Sequence, residues 1–204
     1  MNSTTISPVN FQAQIKPNFK IEDGLFQNIQ ERFSILTQNK PNVTLYLSKL
    51  HVQNDNEENL LMHLSQKKSM QLSDKEIYYE GPNIVISAWD KLKSHLSESE
   101  IAEYLEKRFN VMCLEDKYLK AKEELLTQID YIHKKFSENK EKAKSLKEKG
   151  LEKLSKAFGV IAIKNKSKLN SLNFELNEIT KAYKTNLKKI AKGDEELMQL
   201  GNIE

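Results

Sequence analysis

The chain has 204 residues, of which 38% are hydrophobic and 30% charged, with one cysteine and a formal net charge of +3. This is more polar than an average globular domain and suits thin helical layers better than one thick core. Lone Cys113 excludes an intrachain disulfide framework, and no run of about 18 apolar residues is present to cross a membrane as a helix. The opening residues lack a basic region followed by an apolar run, so no Sec-type signal peptide is expected.

Charge is distributed unevenly. Residues 1–112 carry 12 Lys and Arg against 14 Asp and Glu, a net of −2. Residues 113–204 carry 20 against 15, a net of +5. Between Lys134 and Lys192 stand 17 lysines and 6 glutamates, a net of +11, with no arginine. Any anionic partner should therefore prefer the C-terminal half.

In chain order, residues 1–20 mix Ser, Thr, Asn and Gln with Pro8 and Pro17, show no periodicity and are expected to be disordered. Leu25, Ile29, Phe33 and Leu36 recur at helical spacing, with Glu22 and Asp23 at the positive end of the helix dipole. Asn39-Lys40-Pro41-Asn42 predicts a turn. Val43, Leu45 and Leu47 alternate with Thr44, Tyr46 and Ser48, a half-buried strand. Asn54-Asp55-Asn56 offers cap residues for a short helix carrying Leu60, Leu61 and Leu64. Residues 76–79 and 84–87 read as two strands joined at Gly81-Pro82, followed by a short helix with Trp89, Leu92 and Leu96. Ser97 and Glu100 form a capping box ahead of Ile101, Tyr104, Leu105 and Phe109.

From Leu114 the period stays helical. Tyr118, Ala121, Leu125, Ile129, Ile132 and Phe136 are spaced by three or four. Leu146, Leu151, Leu154, Phe158 and Ile161 continue less regularly. Leu169, Leu172, Leu176, Ile179, Tyr183, Leu187 and Ile190 form the cleanest stripe, close to a heptad. Breaks are expected around Ser137–Asn139 and Gly159, giving helices of about 20–25 residues, or about 30–38 Å. The resulting expectation is an α+β fold. A disordered segment 1–20 precedes a small α+β domain, 21–112, with about three strands. A basic amphipathic region, 113–192, then forms a long-helix hairpin or three-helix bundle, and 193–204 is a flexible tail.

Motifs that carry chemistry are not found. His51, His63, His95 and His133 are never three or four apart, and none adjoins Cys113, so no metal site is expected. The six glycines are scattered, which excludes a phosphate-cradling loop and a dinucleotide fingerprint, and no cofactor is expected. Glu57-Glu58, Glu123-Glu124 and Glu195-Glu196 read as solvated helix faces rather than acid–base pairs. Trp89 reads as a core anchor. No residue is assigned a catalytic role.

The lysine window is the strongest signal. It carries positive charge and an apolar stripe on the same helices, the pattern of a helix that meets a membrane surface or a partner helix. The candidate binding residues are Lys142, Lys149, Lys153, Lys156, Lys164, Lys168, Lys184 and Lys188. Absence of arginine and scarcity of aromatics in the window place nucleic acid behind a protein partner or an anionic membrane.

The opening Met1-Asn2-Ser3-Thr4-Thr5-Ile6-Ser7-Pro8-Val9-Asn10 resembles the N-terminal export signals of bacterial type III secreted effectors, which are short, unfolded and rich in Ser, Thr, Asn and Ile. The resemblance covers 15 to 20 residues and is compositional. It implies secretion from a bacterium into a host cell, where the chain would bind a host protein or membrane; without export the chain is cytoplasmic. Some effectors acting on small GTPases carry a Trp and a Glu four residues apart, but here Lys93 stands four past Trp89. The leading expectation is a non-enzymatic binding protein. The alternative is an assembly protein, a homo-oligomer joined through the Leu169–Ile190 stripe.

Overall fold

The computed structural model describes residues 14–37, 43–51, 58–68 and 77–199. The chain divides into two compact units, the first comprising Met1–Cys113 with Gly193–Leu197 and the second Leu114–Lys192 with Met198–Glu204. The fold is α+β, a four-stranded sheet with helices followed by a long helical hairpin.

In the first unit, β1 (Gln14–Pro17), α1 (Asp23–Thr37), β2 (Val43–His51), β3 (Glu58–Lys68) and β4 (Ile77–Ile86) are followed by α2 (Trp89–His95) and the start of α3 (Glu98–Glu148). Strand order is β1-β2-β3-β4, with β1 parallel to β2 and the remaining pairs antiparallel. The core side of the sheet follows from alternation. Val43, Leu45 and Leu47 of β2, Leu60, Met62 and Leu64 of β3, and Ile84 and Ile86 of β4 are all buried. Helix α1 adds Leu25, Ile29 and Phe33, and α3 adds Ile101, Leu105 and Phe109. The Phe33 and Phe109 rings meet edge-on with centroids 4.7 Å apart, and Arg32 pairs with Glu106 at 2.6 Å to tie the two helices together.

Several expectations are corrected here. The sheet has four strands where about three were expected. Residues 14–17, expected to be disordered, form β1, because the edge of β2 satisfies their backbone groups and Ile15 falls opposite Leu45. Residues 1–13 and the expected turn at 39–42 lie outside the described residues. The short helix expected over Leu60, Leu61 and Leu64 is strand β3. Its apolar run fits both periods, and pairing with β2 selects the alternating set, with Leu64 opposite Leu45 and Met62 opposite Leu47. The two strands expected on either side of Gly81-Pro82 are one bulged strand. Residues Gly81 and Pro82 stand against the single residue Leu64 where the register shifts. A Cβ on Gly81 would lie 2.7 Å from the Leu64 carbonyl oxygen, so only glycine fits, and Pro82 has no N–H to lose from the ladder.

The capping box forms as expected. The Ser97 N–H donates to the Glu100 carboxylate at 2.8 Å, the Ser97 hydroxyl donates to the same oxygen at 2.7 Å, and the Glu100 N–H approaches Ser97 Oγ at 3.4 Å. These bonds to Ser97 hold the Glu100 carboxyl below its usual range. Trp89 is 1% exposed and anchors the start of α2. Ala88 before it is the one non-glycine residue with positive φ among those described, and its N–H is held by the Asn59 side-chain oxygen at 3.0 Å.

The C-terminal segment, expected as a flexible tail, is in part a structural element. Asp194 caps α5 (Glu195–Gln199) through a 3.1 Å bond accepted from the Leu197 N–H, and Leu197 is buried. Arg108, 1% exposed, donates to Asp194 at 2.9 Å and Glu196 at 2.5 Å, while its guanidinium stacks 3.3 Å from the Tyr104 ring centroid. The Tyr104 hydroxyl also donates to Glu196 at 2.9 Å, and burial pushes that phenol well above its usual pKa.

Of the two expected arrangements, the second unit adopts the long-helix hairpin rather than the three-helix bundle. It joins α3 from Leu114 onward to α4 (Glu152–Ile190). Helices of 51 and 39 residues replace the expected 20–25. Neither expected break occurs. At Ser137–Asn139 the Asn139 amide donates to the Lys135 carbonyl at 2.7 Å and the helix continues. At Gly159 the helix continues too, at the cost of about 1 kcal/mol relative to alanine. The chain reverses instead at Gly150, with φ +72. There Gly150 N–H bonds to the Lys147 carbonyl at 3.0 Å and Leu151 N–H to the Leu146 carbonyl at 2.9 Å, the paired bonds of a Schellman stop.

Candidate functional site

The hairpin seam has two different fillings. Away from the turn it is filled by large side chains. Leu125, Ile132, Leu169 and Leu172 form a buried cluster with Ile129, Phe136, Leu176 and Ile179 packed against it. Further along, the Tyr118 and Tyr183 rings stack with centroids 4.4 Å apart, and burial lifts the Tyr183 phenol to a pKa of about 12. The Leu169–Ile190 stripe is thus occupied within the chain: Leu169, Leu172, Tyr183 and Leu187 are buried and Leu176, Ile179 and Ile190 half-buried.

Near the turn the filling inverts. The half-buried or buried positions there are Ala143, Ser145, Leu146, Ser155, Phe158, Gly159 and Ala162, mostly small residues. Ser155 donates its hydroxyl to the Ala143 carbonyl at 2.8 Å across the seam. The large aliphatic side chains Leu151, Leu154, Val160, Ile161 and Ile163 are exposed instead, Val160 and Ile163 on the face away from the seam and Leu154 and Ile161 at its flank, with Ile163 70% exposed. Phe174 is exposed as well, at 66%. Apolar exposure of this kind, concentrated in 13 residues of one segment, is where soluble surfaces usually carry polar groups.

Positive charge concentrates at the same place. Between Lys140 and Lys168 stand 10 lysines and 3 glutamates, a net of +7. Residues 114–139 carry 5 lysines against 6 acidic residues, and residues 169–192 carry 5 against 2. All eight candidate lysines are exposed. Lys142 lies over the Phe158 ring at 4.5 Å. Lys149 flanks the turn, and Lys153, Lys156, Lys164 and Lys168 follow on the outward side and flank of α4. Lys184 and Lys188 lie apart from these, beside Lys181 near the far end of α4. Among the described residues none of the eight is in an ion pair, whereas Lys120 and Lys135 in the same hairpin are paired with Asp116 and Glu138. The lysines thus form two groups, one around the turn and one at Lys181–Lys188, rather than one continuous face.

No family model, curated protein or solved structure matches this chain. The hairpin's own geometry therefore carries the functional reading. Among the described residues no group of three or more His, Cys, Asp or Glu side chains could hold a metal ion, and no helix is long and apolar enough to cross a membrane. Cys113 is buried.

Sequence reasoning missed the Arg108 cluster and the inverted seam. A signal for the first was present: the chain has 30 lysines but only two arginines, Arg32 and Arg108. Both bind carboxylates far away in sequence, where the planar fork gives what an ammonium cannot. The inverted seam was hidden because Leu151, Leu154, Phe158 and Ile161 have the same helical spacing whether they face in or out.

Proposed function

We propose that this chain is a non-enzymatic binding protein that docks on an anionic membrane surface through the turn end of its hairpin. The observation that carries the reading is the inverted seam. Leu151, Leu154, Val160, Ile161 and Ile163 are exposed where small residues fill the interior, among lysines that have no ion-pair partner in the described chain. A leaflet meets both needs at once. Each lysine near an anionic surface gains about 1 kcal/mol. Each half-exposed aliphatic side chain that enters the interface gains on the order of 1 kcal/mol. A second copy of the hairpin would cover the apolar groups but would bring two segments of net +7 together, which disfavours self-association at this surface.

The test is co-sedimentation of the full chain with vesicles. Vesicles containing phosphatidylserine should pellet the protein, neutral phosphatidylcholine vesicles should not, and added salt should release it as screening shortens the reach of the lysines to about 3 Å near 1 M. The double substitution Val160→Ser with Ile163→Ser should weaken binding about tenfold or more, the equivalent of losing two inserted side chains. Equal binding to both vesicle types, or binding to neither, overturns the reading.

The export-signal resemblance of the opening residues joins this proposal as a separate element. A reporter fused behind residues 1–20 should leave a bacterium competent for type III secretion. Retention of the reporter removes secretion and leaves the membrane reading untouched.

A further inference from the structure

Helix α4 carries a second stripe, opposite the seam. Positions 156, 160, 163, 167, 170, 174, 177, 181, 184 and 188 follow one another in steps of four and three, are all exposed, and include no acidic residue. Val160, Ile163 and Phe174 occupy its middle. Its far end carries a shallow cleft open to solvent, lined by residues of α4 alone: Asn177, Thr180, Lys181, Lys184, Thr185 and Lys188. The Thr180 and Thr185 hydroxyls are spent on the carbonyls of Leu176 and Lys181, at 2.7 and 2.9 Å. The Asn177 side chain and three ammonium groups remain as donors, no carboxylate lines the cleft, and none of the three lysines is ion-paired among the described residues.

Three like charges within two helical turns repel one another, and nothing in the described fold offsets this. A doubly charged anion would. A phosphomonoester carries a charge of about −1.5 to −2 and three acceptor oxygens, which suits three ammonium groups and an amide better than the single charge of a phosphodiester or carboxylate. We infer that the cleft is a headgroup site for a membrane lipid bearing phosphomonoester groups. The inference rests on the membrane reading above and extends it. It extends the contact from the turn end along the outer stripe of α4, about 48 Å from Lys156 to Lys188, so that of the aliphatic groups near the turn Val160 and Ile163 enter the interface, with Phe174 further along.

The experiment compares the full chain on two vesicle sets matched in surface charge, one carrying phosphatidylserine and one a bisphosphorylated phosphoinositide. The phosphoinositide set should bind about tenfold more tightly, the worth of one further charge-assisted hydrogen bond. The triple substitution Lys181→Gln, Lys184→Gln and Lys188→Gln should abolish that preference, while weakening phosphatidylserine binding only as much as three lysines removed from the turn group do. Lys149→Gln, Lys153→Gln and Lys156→Gln together should weaken both sets equally and keep the preference. Circular dichroism checks that both variants remain helical; if the cleft variant unfolds, protection of the Lys184 amine from acylation by bound phosphoinositide vesicles replaces it. Equal binding at matched charge, or no protection, overturns the cleft while leaving the membrane reading intact. Failure to bind either set overturns both. Soluble inositol trisphosphate that binds as tightly as the vesicles, with Phe174→Ser without effect on vesicle binding, identifies a free phosphate ligand and overturns the lipid assignment. Duplex DNA that displaces the chain from phosphoinositide vesicles at equal phosphate concentration overturns it as well.

Discussion

The sheet unit and the hairpin treat the same residue types in opposite ways. In the sheet unit most large apolar side chains are inside, Ile35 and Val85 being exceptions, and the buried cation Arg108 has two carboxylates and an aromatic face to meet it. In the hairpin near Gly150 mostly small residues are inside with Leu146 and Phe158, five large aliphatic side chains are exposed, and the candidate lysines are without ion pairs among the described residues. The first arrangement satisfies its own needs and has the character of a scaffold. The second leaves charge and apolar surface to be satisfied by something else, the usual mark of a contact surface.

That contrast can be broken by measurement. The largest effect is expected at Trp89. Trp89→Ala should cost about 3–5 kcal/mol, read by chemical denaturation, because a fully buried ring leaves a cavity. A loss under 1 kcal/mol would mean the sheet unit is not packed as described.

The Arg108 cluster comes next. Asp194→Asn with Glu196→Gln leaves a buried guanidinium without a carboxylate and should cost about 3 kcal/mol. Arg108→Met, which removes the charge itself, should cost less than half of that. If the arginine substitution proves the more damaging of the two, the cluster stabilises through packing rather than charge.

Glu115 sharpens the comparison inside the hairpin. Burial lifts its carboxyl above the usual 4.5. A group with a raised folded-state pKa stabilises the fold below its unfolded value and loses that contribution as pH rises through the folded one. Glu115→Gln should therefore raise Tm at neutral pH and leave it unchanged near pH 3, where both states are protonated. An equal shift at both pH values would assign the effect to packing.

The smallest stability effect is expected at the outward aliphatic side chains. Val160→Ser with Ile163→Ser should stay within about 0.5 kcal/mol of the unsubstituted chain, since neither side chain packs inward. A loss above 2 kcal/mol would show that these residues belong to a core after all and would remove the contrast.

Much of the architecture was legible in local pattern. The alternation Val43-Leu45-Leu47, the Ser97–Glu100 box, the helix through Leu25, Ile29 and Phe33, and the Leu169–Ile190 stripe each rest on spacings of two to four residues, and each formed as those spacings imply. The polarisation of charge toward the C-terminal half was equally plain from residue types alone. Tertiary structure decided the rest. Whether Leu60–Leu64 became helix or strand depended on a neighbouring strand, and β1 exists only because β2 presents an edge. Arg108 meets its carboxylates 86 and 88 residues away, a separation at which no local period survives. The chain reverses at Gly150, and α4 buries Leu169 and Leu172 against Leu125 and Ile132 while Val160 and Ile163, at another phase of the same helix, stay exposed. Periodicity specifies that a helix has an apolar face; only packing determines which face finds a partner within the chain and which is left for another surface.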